Sequence, residues 1–222
     1  MTNSESSYYS RVKALKEEKI RILDKSAELF SKYGYYGVTL DEIAHALQLN
    51  KITIYHYWHS KQDLYYEILL MANKAVLEDI RKITKQGKPP DITLYNVASS
   101  YIMNQITHPV PTTENLKKEY SLTDKHRNSL IRIRDQFDQA FQQIITDGIQ
   151  KGLFIKSNPK MMEFAIIGVM NYVIHWYSPD GPLSKEAVVK HMTAFIMSSV
   201  LTESLRKIYF LKMISNMEGK SL

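Results

Sequence analysis

The chain has 222 residues, of which 44% are hydrophobic and 23% are charged, a balance typical of a globular protein and not of a disordered one. It contains no cysteine, which excludes disulfides, cysteine-ligated zinc and thiol nucleophiles, and we expect a cytoplasmic protein. The formal net charge of +6 favours a polyanionic partner but does not locate the surface that binds it.

The N-terminal region is polar and has no apolar segment of the kind that export signals contain. The longest apolar run lies near residues 164–170 and is far shorter than the roughly 20 residues that a membrane-spanning helix requires. Residues 1–11 are rich in serine and lack periodic apolar positions. We therefore predict no membrane partner and a disordered arm at residues 1–11.

Three helices are predicted next. Apolar residues recur at helical spacing over residues 13–34, which indicates a first helix. Thr39 and Glu42 form a capping-box pattern at the start of a short second helix. Asn50 is a suitable cap for a third short helix over residues 51–58. Two short helices separated by a tight turn predict a helix-turn-helix.

The remainder of the chain is also predicted to be helical. Ser60 can begin a long fourth helix, and the GKPPD sequence at residues 87–91 is the best domain boundary because two adjacent prolines interrupt the helical pattern. We predict further helices over residues 92–106, 124–151 and 159–176 and from residue 184 past residue 205, with an irregular HPVPTTEN segment at 108–115. No run of alternating strands is found. The predicted fold is all-α, with about nine helices: an arm at 1–11, a helix-turn-helix domain at 12–60, a connecting helix at 61–86 and a body at 87–222.

The third helix combines an apolar face with a polar one. Ile54 and Trp58 are four residues apart and would pack inward together. The remaining positions offer a cation, a hydroxyl and phenols, which suit phosphate oxygens and base edges in a major groove. Alternatively, all the rings of this stretch pack into a core or an interface, because aromatic residues at helical spacing are often structural.

Residues 17–69 resemble the DNA-binding head of the TetR family of bacterial transcriptional regulators. The resemblance is carried by G-Y-x-G-V-T before the second helix, I-A-x-A-L before the turn, and Tyr55 followed by an aromatic residue and then S-K-x-x-L. The chain departs from the family pattern at Ile52, where a small residue is frequent, and at Trp58, where phenylalanine is usual. These departures prevent the operator sequence from being inferred by analogy.

The resemblance implies a set of DNA-binding residues. Lys51, Thr53, Tyr55 and Tyr57 would contact DNA from the third helix, Thr39 would cap the second helix at a phosphate, and Lys61 would meet the DNA backbone. To these we add Ile52, whose methyl groups suit thymine, and His56 as a neighbour of phosphates. Spacing places no third ligand beside the histidines, and we expect no metal, cofactor or catalytic residue.

Residues 132–154 and 168–188 resemble TetR-family members that respond to acyl-CoA or other lipid-derived thioesters. That resemblance implies that residues 87–222 form a ligand-binding and dimerisation domain, in which Tyr172 and Trp176 line a pocket beside Phe137 and Phe141. Core packing is the alternative for all four side chains. The last helices are rich in apolar residues, and the resemblance makes their partner a second copy of the chain.

The expected function is that of a homodimeric repressor on a palindromic double-stranded operator, released by a small hydrophobic effector such as an acyl-CoA. A dimer would contact two half-sites about 34 to 36 Å apart. One alternative is an architectural or ligand-independent DNA-binding dimer. A helical enzyme is another, but the chain has no nucleophile elbow and no glycine-rich phosphate loop.

Overall fold

The computed structural model describes residues 3–108 and 121–208, with side chains from residue 13 onward. Within these ranges the protein is all-α and has no strand beyond a single bridge between Phe154 and Leu201, which confirms the predicted fold class. The helices are α1 Asn3–Tyr33, α2 Leu40–Ala46, α3 Lys51–Tyr57, α4 Lys61–Thr84, α5 Pro90–Thr107, α6 Asp124–Gln150, α7 Pro159–Tyr172, a 3-10 turn Val173–His175, and α8 Lys185–Val200.

The chain divides into two compact units. The first unit comprises Met1–Lys74 and Pro109–Ile131, and the second comprises Ala75–His108 and Arg132–Leu222. Each unit has its own cluster of buried apolar side chains. The predicted boundary at residues 87–91 lies in the loop between α4 and α5, whereas the two units divide within α4, between Lys74 and Ala75. Helices α4 and α6 both contribute residues to the two units.

Short helices in the first unit are held by caps and by a shared apolar cluster. Phe30, Ile43 and Ile54 are almost completely buried there. The loop between α1 and α2 requires Gly37, because a Cβ atom at this position would lie 2.2 Å from the carbonyl oxygen of Tyr33. Thr39 then caps α2 in the predicted capping box with Glu42. The local signals in the sequence therefore place α2 correctly.

Helix α1 begins earlier than the periodicity predicts. It starts at Asn3 and includes residues 3–11, which their composition predicts to be an arm. No glycine or proline occurs between residues 3 and 33, so the sequence has no helix breaker before Gly34. Continuing the helix costs little because each added residue closes one more backbone hydrogen bond.

A segment distant in sequence completes the first unit. The Gln62 side chain donates a hydrogen bond of 2.6 Å to the carbonyl oxygen of Ser121, and the Tyr66 hydroxyl donates one of 3.0 Å to Ser129 Oγ. The rings of Tyr66 and His126 stack with centroids 3.9 Å apart. The first turns of α6 are thus part of the unit that contains the helix-turn-helix, which the sequence did not indicate.

The second unit is built on long helices around a larger apolar cluster. Helix α5 packs against α7 and α8, and α7 packs against α8. Phe154 enters this cluster after α6 and is only 2% exposed. Gly148 makes room for it, since a Cβ atom there would lie 2.1 Å from the Phe154 ring. Glycine at 148 is therefore a packing requirement.

The prediction of one helix from residue 184 past residue 205 is wrong, because α8 ends at Val200. Leu201 is extended, with ψ 143°, and pairs with Phe154 in the antiparallel bridge. The Ile155 N–H donates to the Val200 carbonyl at 2.9 Å, and the Thr202 N–H donates to the Leu153 carbonyl at 3.0 Å. Burial of Leu201 and these long-range hydrogen bonds outweigh local helix propensity before the chain turns helical again at residues 203–208.

Most of the HPVPTTEN segment and the chain after residue 208 lie outside the described residues. Among the helices that are described, none combines the length and the apolar character needed to cross a membrane.

Candidate nucleic-acid interface

Helix α3 is fixed at its start by a cap and along one side by burial. Asn50 Oδ1 accepts a hydrogen bond of 2.9 Å from the Ile52 N–H, as the sequence predicted. Ile54 is fully buried and Trp58 is 3% exposed. Gln48, in the turn before α3, has a φ of 56°, a left-handed conformation that lets the chain reverse within a few residues. The helix is thereby held with its opposite side outward.

Trp58 is anchored by polar contacts as well as by packing. Its indole Nε1 donates a hydrogen bond of 2.6 Å to Glu67 Oε2. Glu67 Oε1 forms an ion pair of 2.8 Å with Lys19, whose ammonium group also lies 5.3 Å from the centre of the Trp58 ring. Trp58 therefore connects the end of α3 to both α1 and α4. Lys19 is therefore engaged in a contact inside the protein.

The outward side of α3 presents an unusual combination of side chains. Ile52 is 73% exposed and Tyr55 is 45% exposed. His56 is also exposed, and Thr53 is half-buried at the edge of the same short helix. The exposed methyl groups of Ile52 suit contact with a thymine methyl group in the major groove. These residues form an apolar and hydrogen-bonding surface on α3.

Lys51 is held by an acidic residue of α2. Its ammonium group lies 2.6 Å from Asp41 Oδ2, and it is 5.8 Å from the centre of the Tyr55 ring. The hydrogen bond to Asp41 raises the pKa of Lys51. Lys51 is thus a charged residue at the start of α3 whose direction is set by a neighbouring helix.

Tyr57 belongs to the inward side of α3. Its hydroxyl donates a hydrogen bond of 2.8 Å to Glu18 Oε1 and lies 3.3 Å from the carbonyl oxygen of Leu15. Burial, and then the bond to Glu18, raises the pKa of Tyr57. The structure therefore places Tyr57 in a contact between α3 and α1, away from the exposed set formed by Ile52 and Tyr55.

Lys61 and Thr39 also have intramolecular partners. Lys61 Nζ donates hydrogen bonds of 3.0 and 2.9 Å to the carbonyl oxygens of Tyr35 and Val38, and it lies 4.2 Å from the centre of the Tyr35 ring. Burial lowers the pKa of Lys61. The hydroxyl of Thr39 donates to Glu42 Oε2 at 2.8 Å, which lowers the pKa of Glu42. Lys61 therefore ties α4 to the loop before α2.

Sequence reasoning missed two residues of this region, Asp41 and Glu67. A signal existed for Glu67, because the N–H of a buried indole requires an acceptor and a carboxylate is the strongest available. Asp41 carried no such signal, since its partner Lys51 lies ten positions away on another helix. The packing of the helices pairs Trp58 with Glu67 and Lys51 with Asp41.

The four residues predicted to line a ligand pocket fall into two groups in the second unit. Phe137 and Phe141 are 7% and 0% exposed and pack together with ring centroids 5.7 Å apart. Tyr172 is 64% exposed and Trp176 is 47% exposed. A small cavity of about 10 Å³, room for about one water molecule, lies beside Phe137. Asp79, Ser100 and Asn104 supply the polar part of its wall.

No cluster of three or more side chains suited to metal binding occurs among the residues that the structure describes. His56 lies against the Tyr57 ring, with centroids 5.3 Å apart.

Comparisons with known proteins place both units in one family. Residues 22–68 match the model of bacterial regulatory proteins of the tetR family, and residues 87–200 match that of the tetracyclin repressor-like C-terminal domain. The chain is 22% identical over 185 residues to the transcriptional repressor KstR2 of Rhodococcus jostii. The matched region covers 81% of this chain and 89% of that protein.

Solved structures agree with this assignment. The TetR-family regulator PfmR of Thermus thermophilus superposes with a TM-score of 0.71 at 27% identity, covering 80% of this chain and 97% of that one. AibR, solved with isovaleryl coenzyme A and operator DNA, superposes with a TM-score of 0.69 at 21% identity, covering 80% and 96% of the two chains. The chain belongs to the TetR family, and it is a DNA-binding, helix-turn-helix transcriptional repressor of that family. Its family consists of DNA-binding regulators and not of enzymes.

Proposed function

We propose that the protein represses transcription by placing α3 of each protomer of a homodimer in successive major grooves of a palindromic operator. The observation that carries the proposal is the outward side of α3, where Ile52 and Tyr55 are exposed beside Lys51 and Thr53. An aliphatic side chain, a phenol, a hydroxyl and a cation match the methyl groups, base edges and phosphates of a major groove. His56 lies at the end of the same surface.

Three of the predicted DNA contacts, Tyr57, Lys61 and Thr39, differ in the role that we propose for them. Tyr57 and Lys61 act indirectly, by fixing α3 and the loop before α2 through their hydrogen bonds to Glu18 and to the two carbonyl groups. Thr39 stays a proposed contact to a phosphate, because it lies at the exposed start of α2, where the capping box leaves its side chain at the surface. The direct contacts are therefore assigned to Thr39, Lys51, Ile52, Thr53, Tyr55 and His56.

The experiment for this proposal is selection of a binding sequence from random duplex DNA, followed by fluorescence anisotropy on the selected operator. We expect Ile52→Ala and Tyr55→Phe to weaken operator binding about tenfold each, in line with 1–3 kcal/mol for a good base contact. Tyr33→Phe is the matched control, because Tyr33 is 54% exposed in the same unit but lies outside α3. Equal affinities for Tyr55→Phe and Tyr33→Phe would remove the Tyr55 hydroxyl from the interface.

A second copy of the chain is the proposed partner of the second unit. Large apolar side chains are exposed on α7, on the turn after it and on α8, namely Met161, Phe164, Tyr172, Trp176 and Phe195. Such side chains are depleted from surfaces that stay in water and enriched in homodimer interfaces. We expect Phe195→Asp to convert dimers to monomers in sedimentation experiments. Ile155→Asp, at a 42% exposed residue outside these elements, should leave the dimer intact.

A small hydrophobic effector such as an acyl-CoA is the proposed signal that releases the operator. AibR, whose structure contains isovaleryl coenzyme A, shares this fold, and the second unit has a large apolar core around Phe137 and Phe141. Helices α4 and α6 have residues in both units, which offers a covalent path from an effector to the DNA-binding surface. The coupling expected for such a system is about 1–3 kcal/mol.

Ligand-independent binding by an architectural dimer is the second candidate, and the cavity described beside Phe137, at about 10 Å³, admits an effector only after rearrangement. A panel of acyl-CoA thioesters, with coenzyme A as control, separates the two candidates. Release of the selected operator by a thioester and not by coenzyme A supports effector control. Unchanged operator affinity across the panel, with no shift in melting temperature, favours the architectural dimer over acyl-CoA control.

A further inference from the structure

The ion pair between Asp41 and Lys51 sets a negative charge beside a surface that meets a polyanion. The two charged atoms are 2.6 Å apart, the Asp41 side chain is 65% exposed and the Lys51 side chain is 39% exposed. Both residues lie in the first turns of their helices, α2 and α3. A carboxylate at such a place weakens DNA binding by repelling phosphates.

Lys51 is confined by more than one contact. Its ammonium group lies 2.6 Å from Asp41 Oδ2 and 5.8 Å from the centre of the Tyr55 ring. Surface lysines normally keep several flexible torsions, and a free lysine reaches any nearby phosphate. These two contacts restrict the directions that the Lys51 side chain takes at the start of α3.

We infer that Asp41 is a specificity-determining residue of the DNA interface: its carboxylate directs Lys51 toward the operator and withholds it from the phosphates of unrelated DNA. The inference rests on the proposed operator-binding function of α3. Phosphate contacts supply most non-specific affinity, whereas directed contacts in the groove discriminate between sequences. Asp41 therefore lowers affinity for all DNA but lowers it more for unrelated DNA than for the operator.

The experiment measures dissociation constants for the selected operator and for a scrambled duplex of the same length, over a series of salt concentrations. The variants are Asp41→Asn, Lys51→Gln and the double variant, in the full-length protein. Asp24→Asn is the matched control, because Asp24 is exposed on α1 of the same unit and its substitution changes the net charge equally. Circular dichroism at the assay temperature verifies that each variant is folded.

We expect Asp41→Asn to bind the scrambled duplex about three- to tenfold more tightly and the operator less than threefold more tightly, which lowers the specificity ratio. The salt dependence on the scrambled duplex should become steeper by about 0.9, the value for one additional phosphate contact. In the Lys51→Gln background, Asp41→Asn should strengthen both complexes equally, because the amine that Asp41 directs is absent. Asp24→Asn should leave the ratio unchanged.

Two results would overturn the inference. The first is a specificity ratio for Asp41→Asn that equals that of the wild type or of Asp24→Asn. The second is a change in ratio that persists in full with Lys51→Gln, since Asp41 would then act without Lys51. Failure of the wild-type protein to select any sequence would instead overturn the proposed function, and the two failures are therefore distinguishable.

Discussion

The two units of the protein are stabilised in different ways. In the first unit, seven-residue helices are held by side chains that bond across elements, such as Tyr57 to Glu18, Lys61 to two carbonyl groups and Trp58 to Glu67. In the second unit, long helices enclose a broad apolar cluster that includes Phe141 and Phe154. A helix of two turns is marginal by itself, so α2 and α3 depend on polar contacts as well as on burial, whereas the longer helices depend mainly on burial.

This difference explains why the recognisable sequence motifs lie in the first unit. Polar contacts at fixed places restrict which residues are allowed, so the first unit carries short motifs such as G-Y-x-G-V-T. An apolar core accepts many combinations of similar volume, so the second unit carries a pattern more than a motif. The DNA-binding surface is therefore the part of this molecule whose residues can be assigned most closely, while the effector is not fixed by any comparable constellation.

The largest effect is expected at the centre of the second unit. Phe141→Ala removes a fully buried ring and should lower the free energy of unfolding by about 3–5 kcal/mol. Ile92→Ala, at a residue 45% exposed on α5, should change it by less than about 0.5 kcal/mol. Urea denaturation followed by circular dichroism measures both. Similar losses for the two variants would contradict the view that burial sustains this unit.

Glu163 is the main polar exception in the apolar second unit. Its side chain is fully buried, and its Oε2 accepts a hydrogen bond of 2.6 Å from Gln142. Burial raises the pKa of Glu163 to about 7, and it also raises the pKa of Asp138, a hydrogen-bonding neighbour. The folded protein therefore retains a proton that the unfolded chain, with a pKa of 4.5, releases.

The contribution of Glu163 to the free energy of unfolding should therefore be largest below pH 4.5 and should fall as the pH rises from 4.5 to about 7. We expect a loss on the order of 2–3 kcal/mol between pH 5 and pH 8. Glu163→Gln should remove most of this dependence and be more stable than the wild type at pH 8. Glu78→Gln, on the exposed side of α4, serves as the control. If the pH dependence of the free energy of unfolding is unchanged in Glu163→Gln, a group other than Glu163 binds the proton.

Lys61 tests whether the first unit depends on polar contacts. Lys61→Met leaves the carbonyl groups of Tyr35 and Val38 without this donor, and we expect a loss of about 1–2 kcal/mol in the free energy of unfolding. The salt dependence of operator binding should be unchanged, because the amine is engaged inside the protein. A salt slope lower by about 0.9 would show instead that Lys61 contacts a phosphate.

The smallest effect is expected in the turn before α3. Gln48 has a φ of 56°, which glycine adopts without strain, so Gln48→Gly should be neutral or stabilising by up to about 1 kcal/mol. Gln48→Val should be destabilising by about 1–2 kcal/mol, because β-branched residues fit this conformation poorly. Thermal denaturation of the two variants provides the test. Stabilisation by valine would contradict the assigned backbone conformation.

Much of the fold was predictable because its signals are local. The caps at Thr39, Asn50 and Ser60 lie within three residues of the groups they bond, and all three are confirmed. The inward positions of Ile54 and Trp58 followed from a four-residue spacing. The direct DNA contacts, the ligand-lining residues and the domain boundaries remain predictions.

Long-range partners account for what the sequence did not predict. The placement of Tyr57 depends on Glu18, 39 positions earlier, and that of Tyr66 depends on Ser129, 63 positions later. The end of α8 depends on a bridge to Phe154, and no local signal at Leu201 marks it. Residues at such separations are brought together only by the packing of whole helices.

The sequence by itself determined the family, the all-helical class and the start of each short helix, because capping, periodicity and glycine placement act within a few residues. Tertiary structure alone decided which side chains of α3 and α4 remain outward, since Tyr57 and Lys61 are held by intramolecular acceptors while Ile52 and Tyr55 are exposed. It also paired Lys51 with Asp41. A side chain bonds to the partner that packing brings within about 3 Å, and a linear pattern does not contain that distance.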